Sequence, residues 1–183
     1  MPEASASIDD DGVLVFDSNA ILLYLAEKTG KFLAPNTPQN RAQTLSWLMF
    51  IATGVGPYSG QAVHFKHFAP KEQNHDYSHN RYQFEAQRHY TVINDHLAGK
   101  KYMVGDTYTV VDMALWGWAR MAPFVMGEDN YAKFPNVKRL ADEISARPAA
   151  AKAIALKDKF TFKAEMDDEA RNFMFGHLKT KAA

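Results

Sequence analysis

At 183 residues, 46% of them hydrophobic, the chain can bury a proper core in one large or two small domains. Its 21 basic and 21 acidic side chains cancel, leaving no excess positive field for a nucleic-acid backbone or an anionic membrane surface. There is no cysteine, which excludes structural disulfides, thiolate metal sites and a cysteine nucleophile, so any redox chemistry must borrow a thiol.

The opening Met-Pro-Glu-Ala-Ser-Ala-Ser-Ile-Asp-Asp has neither a basic start nor an apolar run, and Ala20–Ala26 is too short to span a bilayer. The expectation is a cytoplasmic protein with no membrane partner. Asp10-Asp11-Gly12 separates two β-prone pieces, Ala6–Ile8 and Val13–Phe16, and predicts a small hairpin. A helix is predicted from Ser18 to about Thr29, with Ser18 as its cap and Gly30 as its left-handed stop. At its head, amides and the helix dipole make a seat for a carboxylate, while Asp17 faces the opposite charge. A ligand with an amino group beside a carboxylate fits that pair. Asp-Ser before an apolar helix is equally an ordinary capping arrangement.

Lys31–Asn40, with Pro35 and Pro38, reads as a linker. Leu45, Leu48, Met49 and Ala52 then recur at helical spacing until Gly54-Val55-Gly56-Pro57, where a long helix should bend or break before continuing through Tyr58–Phe68. After a polar loop to about Asp76, Tyr82, Ala86, Tyr90, Ile93 and Leu97 form the stripe of another long helix that Gly99 ends. Thr109-Val110-Val111-Asp112 is a capping box, flanked by Tyr108 and Met113 as a hydrophobic staple. It opens an apolar helix, Val110–Ala122, bounded by Pro123 and expected at the buried centre of a bundle with Trp116 and Trp118 inside. Phe134–Ile144 is a further amphipathic helix, and Arg147-Pro148 starts an alanine-rich turn. Phe160, Phe162, Phe173, Met174 and Phe175 are expected to pack rather than trail free.

Three landmarks agree in order and spacing with one family: Asp17-Ser18-x-Ala20-Ile21, the Thr109-x-x-Asp112 box, and Phe134-Pro135-Asn136-Val137 with Ala146-Arg147-Pro148. On these the chain resembles the glutathione transferase superfamily. Trp47, Gly54–Pro57, Gly60-Gln61, His64–His67, Ala69-Pro70 and Arg81–Arg88 look like the bacterial nu-class branch, which is related to a fungal prion-forming regulator. The resemblance implies a mainly α fold: a glutathione-transferase helical bundle with a short β-hairpin and helix left from a thioredoxin-like domain. The implied division is residues 1–34 for the glutathione-binding remnant, 35–40 for a linker and 41–183 for the helical domain.

Family members open with a complete thioredoxin-like domain that supplies a thiol-activating Ser, Tyr, Thr or Asn and leads to a cis-proline. Here that unit has no counterpart, so no catalytic residue is assigned, and Pro2 is not equated with the cis-proline. A hairpin and one helix leave a sheet edge to be covered by a partner subunit, by a rearranged start or by more chain in a longer natural product. The implied chemistry is glutathione, as co-substrate, attacking a small electrophile or a disulfide through its thiolate in a homodimer. Asp17 would hold the ligand's ammonium, Ser18 its carboxylate, and Arg88, with Arg81 as second choice, would supply a basic contact. The arginines fit structural ion pairs on a helix face as well. Tyr58 and His64 are the candidates for the electrophile pocket. His64, His67, His75 and His79 lack an acidic or thiolate companion, and no metal is assigned. The other function class is a non-catalytic interaction or regulatory module of the same fold, or an inactive truncated product.

Overall fold

The computed structural model describes residues 6–8, 10–161, 163 and 165–178. Pro2 and Phe162 lie outside them. Strands β1 (Ala6–Ile8) and β2 (Leu14–Phe16) pair antiparallel with Ala6 opposite Phe16 and Ile8 opposite Leu14. Gly12, at φ 77°, turns the chain between them. Helix α1 (Ser18–Thr29) follows at once and stops at Gly30, whose left-handed φ of 65° lets its amide return to the Ala26 carbonyl.

The linker is shorter than its prolines suggest. Pro38 is the first residue of α2 (Pro38–Phe50), where a missing N–H costs nothing, and Thr37 caps the helix by accepting from the Asn40 amide at 3.2 Å. The expected break at Gly54–Pro57 is a π-helical turn, Ile51–Val55, running straight into α3 (Gly56–Val63) and a second π turn, His64–Phe68. Widening the helix by one residue per turn absorbs Pro57 without interrupting the rod. Helix α4 (Asp76–His96) lies along α3.

Helix α5 (Val110–Ala119) sits at the centre, touching α1, α2 and α8 (Pro135–Ser145). It stops earlier than predicted. Pro123 stands in the first turn of a separate short helix, α6 (Ala122–Met126), and α7 (Glu128–Tyr131) follows after Gly127. The core is built from Leu48, Ile51 and Val55, Tyr90 and Ile93, Val111 and Leu115, and Val137, Leu140 and Ile144, all at or near zero exposure. Trp118 departs from its expected place and is 36% exposed, while the Trp116 indole donates to Ser145 Oγ at 2.9 Å.

The chain divides into two compact units, Met1–Ser145 and Ala146–Ala183. The boundaries expected at 34 and 41 fall inside the first, because α1 packs on α5. The second unit holds α9 (Pro148–Ala155) and α10 (Asp168–Phe175). Phe160, Phe173 and Met174 are exposed there, contrary to the packing expected of them.

Candidate functional site

The head of α1 is built differently from the expectation that Ser18 caps it. Asp17 is the cap: its Oδ1 accepts from the Asn19 amide at 2.9 Å and the Ala20 amide at 3.2 Å, and Ser18 is the first helical residue. Both residue types cap well, and the deciding feature is the backbone at Asp17, at φ 72° and ψ 129°. A non-glycine residue held at positive φ is strained, and such strain gathers at binding sites. Both bonds fall on Oδ1 of an exposed carboxylate.

Ser18 and Asn19 form one edge of a cleft of about 340 Å³, whose far wall is the face of α5 and the turn after it: Met113, Gly117, Trp118 and Met121. The sequence reading put Trp118 in the bundle core and assigned no other residue to this wall. Its signal was the spacing of two methionines and a tryptophan around Gly117, one helical face with no polar group on it. A larger cleft of about 440 Å³ lies between α1, the linker and α2, and several of its polar groups are paired with one another. Arg41 pairs with Glu27 at 3.4 Å, and the Asn40 amide group donates to the Pro35 carbonyl at 2.9 Å.

The remaining predicted residues lie elsewhere. Arg81 and Arg88 sit on α4 and both grip Glu85: Arg81 through Nη1 to Oε1, Arg88 through Nε at 2.9 Å and Nη2 at 2.8 Å to Oε2. The two guanidiniums, that of Arg81 most strongly, hold the Glu85 carboxyl below its ordinary value. Glu85 was not singled out from the sequence, although an arginine four residues before a glutamate and another three after is the spacing of a doubly braced carboxylate.

Tyr58, on α3, stacks on the buried His89 ring with centroids 5.0 Å apart. His64, in the second π turn, meets Phe65 edge-on at 5.1 Å, and burial followed by the nearby His75 lowers its pKa. Neither Tyr58, His64, Arg81 nor Arg88 lines the Ser18 cleft. Among the described residues no three His, Asp or Glu side chains are gathered so as to hold a metal ion. No described helix is long and apolar enough to cross a membrane.

The sequence matches the family description "Glutathione S-transferase, C-terminal domain" over residues 57–148. The chain belongs to the glutathione S-transferase family. Among its relatives in this family, the disulfide-bond oxidoreductase YfcG of Escherichia coli K12 is 41% identical over 155 residues, covering 85% of this chain and 66% of the relative. The disulfide-bond oxidoreductase YghU of the same organism is 39% identical over 145 residues, covering 75% of this chain and 48% of the relative. A solved glutathione transferase from Burkholderia graminis, with two glutathione molecules bound per subunit, superimposes with a TM-score of 0.75 at 34% identity. The match covers 83% of this chain and 65% of that one. The chain thus spans between about half and two thirds of the length of these relatives.

Proposed function

We propose that this chain binds glutathione at the head of α1 and works, as a nu-class-like homodimer, in the attack of the glutathione thiolate on a small electrophile or a disulfide. The observation that carries the reading is the strained Asp17 cap beside Ser18 at the mouth of an apolar cleft. With the Asn19 and Ala20 amides committed to Asp17 Oδ1, the γ-glutamyl carboxylate would take the Ser18 hydroxyl and amide, and the ligand's ammonium would take Asp17. Family membership and the glutathione found in the Burkholderia relative support the choice of ligand. The names of the two Escherichia relatives support disulfide reduction as much as conjugation.

A homodimer is supported by an exposed stripe on α4, where Tyr77, Arg81, Phe84 and Arg88 share one face and Phe84 is 63% exposed. Arg81 and Arg88 do not reach the Ser18 cleft of their own chain, so their proposed contact with glutathione would be made across two copies. Tyr58 and His64 keep their proposed role as walls for the second substrate.

Calorimetric titration of the chain with reduced and then oxidised glutathione tests the reading. Binding lost on Asp17→Ala or Ser18→Ala supports it, and a folded chain that binds neither form overturns it. Turnover with a chromogenic electrophile and with a small disulfide then separates transferase from reductase. Binding without turnover of either assigns the chain to the non-catalytic class.

A further inference from the structure

We infer that Glu85 is a positioning residue, whose buried carboxylate sets the guanidiniums of Arg81 and Arg88 as a two-armed cationic clamp for a glutathione carboxylate. The inference rests on the glutathione reading above and adds to it the group that orients the basic contact.

Compared with an apolar side chain, a carboxylate gains the fold little at this position, although once there it is favoured ionised over protonated. The Glu85 side chain is 9% exposed, in the middle of a helix, beside the fully buried Ala86 and Tyr90. Taking an ionised carboxylate out of water is costly, and an apolar residue of similar volume generally serves a core as well or better. What the carboxylate does provide is geometry. Its two oxygens are divided between two partners, Oε1 to Arg81 and Oε2 to Arg88. Arg88 presents its Nε–Nη2 edge to Glu85, which fixes the plane of the guanidinium and turns the Nη1 corner away. Arg81 is engaged through a single nitrogen.

The arms themselves stand 47% and 49% exposed, within reach of a ligand, and one carboxylate against two guanidiniums leaves the trio with one net positive charge. Its base is rigid. His89 bonds the Glu85 carbonyl through Nδ1 at 2.7 Å, and the His89 ring is wedged between Phe50 and Tyr58. Because the arginines hold Glu85 ionised below its ordinary value of 4.5, the clamp persists through the neutral and mildly acidic range.

The sign of one substitution separates positioning from charge. Glu85→Gln removes a negative charge between two cations, which by Coulomb attraction alone would tighten the binding of any anion. A positioning residue gives the opposite: glutathione affinity falls by about tenfold, the range of one lost charge-assisted hydrogen bond, while the circular dichroism is unchanged. In an Arg81→Ala/Arg88→Ala background, Glu85→Gln should have no further effect. Unchanged or tighter binding by Glu85→Gln, where the double arginine variant binds weakly, overturns the inference and leaves the glutathione reading standing. A double arginine variant with full affinity removes the arginines from the site, and the inference with them. The wild-type protein provides a check free of folding artefacts: saturating glutathione should shift the Arg88 Nε–H resonance, and a silent resonance overturns the clamp.

Discussion

Asp112 gathers the Met103 amide at 2.8 Å, the Thr109 amide at 2.8 Å and the Thr109 hydroxyl at 3.2 Å around one carboxylate with no exposure. The shorter side chain thereby does more than the glutamate of an ordinary capping box, because it also ties down the loop before the helix. Replacing it with alanine strands two buried backbone donors. Asp112→Ala should therefore lower the unfolding free energy by about 3 kcal/mol, read from urea denaturation. Asp112→Asn should also destabilise, since an amide group has one acceptor oxygen and must turn a donor toward either the Met103 or the Thr109 amide. Burial outweighs these bonds and raises the Asp112 pKa above its ordinary 3.8. A raised acid binds its proton more tightly when folded, so its protonation favours folding below 3.8 and this support is lost as pH rises through the folded value.

Two glycines, one in the first π turn and one in α3, look alike in the sequence and differ in their surroundings. A Cβ on Gly54 would lie 2.5 Å from Cδ2 and Nε2 of His89, a ring that Phe50 and Tyr58 prevent from retreating, whereas a Cβ on Gly60 would meet nothing within 4 Å. Gly54→Ala should destabilise by about 2 kcal/mol through overpacking, and Gly60→Ala, on an exposed helical surface, should stabilise by about 0.5–1 kcal/mol. A thermal melt of the two variants checks both signs. The contrast marks how far elements can be read from sequence. The Thr109 box and the Gly30 stop were legible because their residues interact within one turn. Asp17 against Ser18 was not, because both are good caps and only the backbone angle decides. The wall at Met113 and Trp118 was hidden because a helix apolar on every side does not tell which side faces a cleft. Glu85 was overlooked because charges spaced along a helix ordinarily mark a solvated face, and here tertiary packing buries one of them.

At the scale of the whole molecule, one copy keeps the Ser18 cleft and the arginine clamp apart, so the affinity for glutathione should depend on assembly. Phe84→Ser removes the apolar centre of the α4 stripe and should weaken self-association by at least about tenfold, with glutathione affinity falling in parallel at micromolar protein. Sedimentation beside calorimetry checks this, and a wild-type monomer with full affinity would sink it. Acid should act on the fold in two stages. The His96 ring lies tilted against Trp47 with centroids 4.2 Å apart and donates through Nε2 to the Met103 carbonyl at 2.8 Å, and its pKa is lowered, first by burial, as is that of His64. A lowered base stays neutral in the folded chain while the unfolded chain takes up a proton, so stability falls as pH drops below 6.5. Glu85 is a lowered acid, whose contribution is present above 4.5 and is lost as pH falls toward its folded value. Asp112 opposes it in that second range, which should make the lower step the shallower one. Urea midpoints measured from pH 7.5 to 3 at fixed ionic strength should therefore decline in two stages. His96→Gln should flatten the first, and Glu85→Gln the second. A stability curve level between pH 7.5 and 5 would show that His96 and His64 protonate as easily in the folded chain as in the unfolded one, contrary to their burial.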